Sequence, residues 1–299
     1  MALMFQRLAQ NFIKKGFFPT DEGTLSGILR LLKTPEQGSI RLLDPCCGEG
    51  SALAEVAHAL DHDGIQCDTF GVEVDEERAW HAKSILNRVI HGDLQDCMIG
   101  KRQFSLMFFN PPYGDLVADQ VNYSMKGQGR ARLEKVFYQN TFQLLQFGGI
   151  GITILPYYVL DKQLSSWIAR HYSDVQVFKA AVERFKQVVI IGKRCPSDSV
   201  DSPSMTQMQR HLLAIGQQTV EPPLLPGANE LVVFEKIPNS EALHGYCIPQ
   251  ITNNHPLFFQ YVKMDPQQLQ VEIAQQGVLW ERFDFLFRNV SVAKRQPLC

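Results

Sequence analysis

The residues best equipped for chemistry lie in Phe108-Phe109-Asn110-Pro111-Pro112-Tyr113-Gly114. The apolar run Phe104 to Phe109 reads as a buried parallel strand, and two prolines must end it because neither can donate to a sheet ladder. Asn110 therefore falls at the carboxyl end of a strand, the edge at which open α/β sheets bind ligands. Its amide oxygen and the Pro111 carbonyl, whose direction the proline rings restrict, can both accept hydrogen bonds from one planar NH2 group. Tyr113 adds a π-face for stacking and a hydroxyl at its rim. Such a set would grip an exocyclic amine on a flat ring or an amide. That nitrogen is a poor nucleophile because its lone pair is delocalised, and two acceptors on its hydrogens favour the pyramidal form that attacks. The plainer alternative is a strand-ending turn with a core tyrosine.

Asn110-Pro111-Pro112-Tyr113 resembles motif IV of the S-adenosylmethionine-dependent amino-methyltransferases, whose members methylate adenine N6 in DNA or RNA, or a glutamine side-chain amide in proteins. Asp44-Pro45-Cys46-Cys47-Gly48-Glu49-Gly50 resembles motif I of the same group. There glycines at a strand-to-helix turn let a ligand approach the backbone, and Asp44 suits a cation such as the cofactor's ammonium or sulfonium. The pattern is Gly-x-Gly-x-x-Leu, so Leu53 stands where a dinucleotide fingerprint needs its third glycine. The resemblance implies that Glu73 takes the ribose hydroxyls as motif II. It implies that Asp93 accepts from the adenine amine while Leu94 covers the ring as motif III, that Val74 lies at the cofactor, and that Phe18-Pro19-Thr20 lines the methionine end as motif X. Asp75 competes with Glu73 or caps the following helix, Thr20 also reads as an N-cap, and an Asp after a glycine is often a turn residue.

The elements that must position these residues alternate. Strands are expected at Ile40–Asp44, Thr69–Val74, Arg88–His91, Phe104–Phe109, Ile150–Leu155, Val175–Phe178 and Val188–Gly192. Helices are expected through Leu60, over Glu76–Asn87, over Ala131–Phe147 with Gly148-Gly149 as the stop, and from an Asp161 cap through His171. The last two strands, joined without a helix, suggest an antiparallel edge pair. The expected fold is α/β, a Rossmann-like seven-stranded methyltransferase sheet with helices on both faces, plus a small C-terminal appendage. The domains are read as 1–194, the methyltransferase unit, and 195–299, a small target-recognition or accessory region reached through a Pro/Ser/Asp-rich linker at Pro196–Ser204.

Composition narrows the class further. At 45% hydrophobic and 20% charged the chain reads as an ordinary globular protein, and no apolar run is long enough to span a bilayer. Seven cysteines without a Cys-x-x-Cys pair read as reduced thiols of a cytoplasmic protein, with neither metal nor disulfide framework. A formal net charge of −2 argues against a protein that coats nucleic acid non-specifically. Local contact is still open to Lys126, Arg130, Arg132 and Lys135, with Tyr123, in the long stretch after the central motif. The basic amphipathic start, Met1 to Lys15, reads as a packed helix or alternatively a mitochondrial presequence. The tail interleaves Arg282, Arg288, Lys294 and Arg295 with Trp280, Phe283, Phe285 and Phe287, and its abrupt end suggests a longer parent.

Taken together, the expectation is transfer of a methyl group from S-adenosyl-L-methionine to an exocyclic amine, adenine N6 in DNA first, RNA adenine or a protein glutamine otherwise. Asn110, Pro111, Pro112 and Tyr113 would be the catalytic set. Phe18, Pro19, Thr20, Asp44, Pro45, Cys46, Gly48, Gly50, Glu73, Val74, Asp93, Leu94 and Asn110 would hold the cofactor. Tyr113, Lys126, Arg130 and Phe185 would meet the substrate. No metal and no membrane are implied, and a partner subunit could supply target recognition. The rivals are a cofactor- or DNA-binding module without turnover, and a nicotinamide oxidoreductase, which would need the missing glycine.

Overall fold

A computed structural model describes residues 19–32, 38–61, 65–114, 132–197, 199–226 and 247–249. The elements run α1 (Glu22–Leu29), β1 (Ser39–Asp44), α2 (Ser51–Asp61), β2 (Gln66–Glu73), α3 (Glu76–Ile85), β3 (Arg88–His91), β4 (Cys97–Ile99), β5 (Phe104–Phe109), α4 (Leu133–Thr141), β6 (Leu145–Pro156), α5 (Lys162–His171), β7 (Tyr172–Lys179), β8 (Gln187–Arg194), α6 (Ser202–Gly216) and β9 (Cys247–Pro249). Seven strands form one sheet in the order β3-β2-β1-β5-β6-β8-β7, and β4 pairs with β9 in a separate ladder. The pairings from β3 to β6 are parallel, whereas β8 runs antiparallel to both β6 and β7. The seven-stranded α/β architecture expected from the sequence is therefore the one observed.

The strands can be read from apolar runs because the sheet is covered on both sides. Leu106 and Phe108 of β5 join a core with β1 and helices α1 and α2, while Met107 and Phe109 face a second core with α5 and α6. Strand β8 alternates in the same way, Val189 and Ile191 to the first core, Val188 and Ile190 to the second. Chain order reverses between β1 and β5, which opens a crevice at their carboxyl ends. Those ends are Asp44 and Phe109, the residue before Asn110.

Several local expectations are corrected. Helix α4 stops at Thr141 and β6 begins at Leu145, so Gly148 and Gly149 lie inside a strand and do not end a helix. The β5–β6 register jumps from Phe104↔Leu145 to Leu106↔Ile150, and the extra residues are accommodated with Gly148 at φ +80°. Asp21, not Thr20, caps α1, its carboxylate accepting from Thr24 N–H at 2.9 Å. The last three residues of the expected linker, Ser202–Ser204, are the first turn of α6, which Asp201 caps and Pro203 favours; Leu212 and Ile215 then bury against the second core. Asp161 caps α5 as expected, accepting from Gln163 and Leu164 N–H. Among the described residues no helix is long and apolar enough to cross a membrane.

Candidate active site

Three strand ends converge on the crevice. At the end of β1, Asp44 is 3% exposed and receives its hydrogen bonds from Cys46, whose N–H donates to Oδ1 at 3.0 Å. Burial, aided by the neighbouring Glu73 charge, pushes its carboxyl up to about 7. A buried carboxylate with so few donors suits a cationic group, such as a ligand's ammonium or sulfonium. The glycine turn that follows holds Gly48 at φ +57° and Gly50 at φ +82°. A Cβ on Gly50 would come within 3.1 Å of Ala82 and Leu86, so the turn packs directly on α3 and its junction with β3.

Glu73 braces that turn. Its Oε2 accepts from Gly48 N–H at 2.9 Å, and its Oε1 from Asp75 N–H at 2.8 Å and from Arg78 Nη2 and Nε at 2.7 and 3.2 Å. Carboxylates have about four acceptor positions, so Oε2 keeps capacity for a hydroxyl while Oε1 is committed to protein. Asp75 caps α3, accepting from Arg78 N–H at 3.3 Å. Val74, just past β2, is exposed. Asp93 accepts from Gln95 N–H at 2.9 Å, and Leu94 beside it is buried against Val72.

At the end of β5 a directed relay fixes the Asn110 carboxamide. Gln187 Nε2 donates to the Tyr113 hydroxyl at 2.6 Å, Tyr113 donates to Asn110 Oδ1 at 2.7 Å, and Asn110 Nδ2 donates to Thr20 Oγ1 at 3.1 Å. Burial pushes the Tyr113 phenol above its ordinary range, which keeps the proton that this relay uses. The backbone carbonyl of Asn110 accepts from the Cys46 thiol at 3.4 Å, linking the motif to the glycine turn. Pro111 is buried, and Pro45 lies in the turn after β1.

The structure thus brings Thr20, Asp44, Cys46, Gly48, Glu73, Asn110 and Tyr113 to one edge, with Pro19 leading into Thr20. Phe18, Lys126 and Arg130 lie outside the described residues. Phe185 is half-buried on a short 3-10 turn that leads through Lys186, at φ +54°, into β8. Arg132 and Lys135, expected to face nucleic acid, are ion-paired with Glu134 and Asp161. Two contributors were missed by the sequence reading. Gln187 is an amide just ahead of the apolar run Val188–Ile191, and Arg78 is a charged residue on a buried helix face; each is a polar exception that could have been noticed. Among the described residues no group of three or more His, Cys, Asp and Glu side chains is placed to hold a metal.

Such a sheet order, with an acid and a glycine turn after the first strand, makes comparison with known families decisive. A family model, described as an uncharacterised methyltransferase family (DUF6094), matches residues 2–226. The chain belongs to that methyltransferase family. The fold of this methyltransferase is similar to that of a Listeria monocytogenes protein classed with the class I S-adenosylmethionine-dependent methyltransferases. Their TM-score is 0.50 at 13% identity, over 71% of this chain and 77% of that one. A type I restriction-modification methyltransferase subunit from Streptococcus thermophilus gives 0.44 at 17% identity, over 70% and 56%. The M protein of the type I restriction enzyme EcoKI gives 0.46 at 14%, over 62% and 46%. The methyltransferase spans about half the length of these last two. At such identities the likeness is one of fold. No curated protein sequence matches the chain. S-adenosyl-L-methionine is the expected cofactor.

Proposed function

We propose that this methyltransferase moves the methyl group of S-adenosyl-L-methionine onto an exocyclic amine, adenine N6 in DNA. The observation that carries the reading is the Asn110 carboxamide, held in one orientation by Tyr113 on its oxygen and Thr20 on its nitrogen, beside the turn that carries Asp44. An amide pinned in this way presents its acceptor in a fixed direction, which is what recognition of a weakly nucleophilic NH2 requires. The Pro111 carbonyl serves as the second acceptor and the Tyr113 ring as a stacking face, with the base flipped out or already single-stranded.

The cofactor supplies a methyl group on a positively charged sulfur. Asp44 meets the cationic end of that molecule, Glu73 Oε2 accepts a ribose hydroxyl, and Asp93 accepts from the adenine amine with Leu94 and Val74 against the ring. Gly48, Gly50, Pro45 and Cys46 form the wall, and Phe18, Pro19 and Thr20 line the methionine end. As the new N–C bond forms, the C–S bond breaks and its electron pair leaves with S-adenosylhomocysteine. The nitrogen then sheds a proton to water, so no strong base is needed. Much of the rate comes from alignment of nitrogen, methyl and sulfur. Lys126, Arg130 and Phe185 are assigned to the substrate side, and, within 195–299, the part that follows the core-packed α6 to an accessory role in target reading, alone or with a partner subunit, in the cytoplasm.

The test is transfer of labelled methyl from S-adenosylmethionine to DNA, RNA and protein pools, with Asn110→Ala in parallel. Label should accumulate in DNA as N6-methyladenine, and the variant should lose about 10²–10³-fold in rate at saturating S-adenosylmethionine. Equal incorporation by the variant, or label only in RNA or protein, would overturn the assignment.

A further inference from the structure

The sheet edge opposite the amine clamp carries a separate concentration of charge. Arg102 stands ahead of β5 at φ +57°, its backbone anchored by its own N–H to Gln143 O at 3.0 Å and by Gln103 N–H to Leu144 O at 2.9 Å. Arg170 lies in the last turn of α5, and Arg194 ends β8. With Phe147, Ser197 and Met205 these arginines line a cavity of about 550 Å³, within the range of small-ligand sites.

Arg194 is the informative member. It is only 7% exposed, yet its hydrogen bonds go to neutral carbonyls: Nε to Phe142 O at 3.2 Å, Nη1 to His171 O at 2.9 Å and also to Cys195 O. Its Nη2 has no acceptor among the described residues, and there none of the three arginines pairs with a carboxylate. Burying a guanidinium without a counter-charge is unfavourable, and Arg102 adds like-charge repulsion. The Phe147 ring sits between them, 4.2 Å from the Arg102 guanidinium and 5.3 Å from that of Arg194, which keeps both in place before any ligand arrives.

We propose that this cavity binds a phosphate group, with Arg194 as the buried contact and Arg102 and Arg170 closing on it from the rim. Guanidinium forks match phosphate oxygens in pairs, and a phosphate has enough oxygens to engage all three. The same chemistry is offered by a free mononucleotide and by a nucleic-acid backbone. Because the cavity and Asn110 lie at opposite edges of the sheet, the phosphate bound here is not one flanking the amine being methylated.

Calorimetry on the full chain at constant ionic strength in chloride tests this with three probes: inorganic phosphate, thymidine monophosphate and an unstructured eight-nucleotide DNA strand. Wild-type protein should bind at least one probe, and Arg102→Gln/Arg170→Gln, which alters exposed side chains, should weaken it at least tenfold. Arg194→Lys keeps the charge but loses the fork and should weaken it about fivefold. S-adenosylhomocysteine binding should stay within twofold in the double variant. Tighter binding of the monophosphate supports the proposal with a free nucleotide as source, and tighter binding of the strand supports it with a backbone as source. No binding of any probe, or unchanged binding by the double variant, overturns the proposal.

Discussion

The two edges of the sheet differ in charge and in how that charge is met. At the carboxyl edge, Glu73 is buried but matched by Arg78 and two backbone N–H groups, whereas Asp44 is buried with donors, among the described residues, from Cys46 alone. At the opposite edge, Arg194 is buried against carbonyls with further arginines nearby. A fold tolerates a buried ion either by pairing it, as with Glu73, or by holding it for a ligand of opposite sign. On the readings proposed above, Asp44 and Arg194 are of the second kind, with a cation received at one edge and an anion at the other.

The comparison breaks most severely at the paired acid. In Glu73→Ala, Arg78 keeps Asp75 at 3.8 Å but loses its shorter contact with Glu73, and the Gly48 N–H loses its acceptor. Urea unfolding should show a loss of about 3–5 kcal/mol, summed over the Gly48 and Asp75 N–H donors and the Arg78 fork that share this carboxylate. The glycine turn should loosen with it, so S-adenosylhomocysteine binding should fall even where the variant stays folded. A loss below 1 kcal/mol would mean that the ion pair does not organise this edge.

Asp44 should behave in the opposite way. Its carboxyl titrates near 3.8 in the unfolded chain and at about 7 in the folded one. Between these values the folded state binds more protons, so this group's contribution is fully present below pH 4 and is lost as pH rises through 7. Asp44→Asn should therefore raise stability by about 2–4 kcal/mol at pH 8 and leave it nearly unchanged at pH 4. It should also weaken binding of S-adenosylmethionine. In the wild type that binding should strengthen from pH 5.5 to 7.5 as the carboxylate forms, and in the variant it should be flat. A variant that gains stability and still binds normally would remove Asp44 from the cofactor site.

Much of this was legible in the sequence, because a parallel sheet covered on both faces writes its strands as apolar runs, and the residues at their carboxyl ends are adjacent in space. Asp44, Glu73 and Asn110 could be placed together on that basis alone. What was misread was locally ambiguous. Gly148-Gly149 serves a bulge as well as a helix stop, and the Asp, Ser and Pro of 201–204 open a helix as readily as they make a linker. What was missed depended on distant partners: Gln187 meets Tyr113 across 74 positions, and Arg102 and Arg194 both meet Phe147.

Gln187 offers a smaller and sharper probe of the carboxyl edge. Gln187→Leu keeps the volume but removes the donor that holds the Tyr113 hydroxyl, so the Asn110 acceptor loses definition without losing its place. The rate of methyl transfer should fall about tenfold, equivalent to ~1.4 kcal/mol, with S-adenosylmethionine affinity unchanged. Gln187→Glu should be worse than Leu, since a carboxylate accepts the Tyr113 proton and draws it from Asn110. Equal rates for all three proteins would show that the relay is structural only.

The smallest effect belongs to the basic edge, and its sign is the reverse of that of Asp44. His171 stacks on Phe142 with ring centres 4.0 Å apart, and its Nδ1 lies 3.2 Å from the Tyr138 hydroxyl. Burial, with Arg194 and Arg170 close by, pushes its pKa down to about 4 from 6.5. The unfolded chain therefore binds the extra proton first, so the stabilisation is present above pH 6.5 and is lost as pH falls through about 4. The ring is partly exposed, and screening reduces the contribution to roughly 1 kcal/mol. His171→Gln should flatten the acid limb of stability between pH 4 and 6.5 and leave the Asp44-dependent decline toward pH 7 in place. If phosphate occupies the neighbouring cavity, its negative charge should raise the His171 pKa and shift that limb upward, readable by NMR titration of the imidazole with and without inorganic phosphate. An imidazole pKa indifferent to phosphate would separate this histidine from the arginine site.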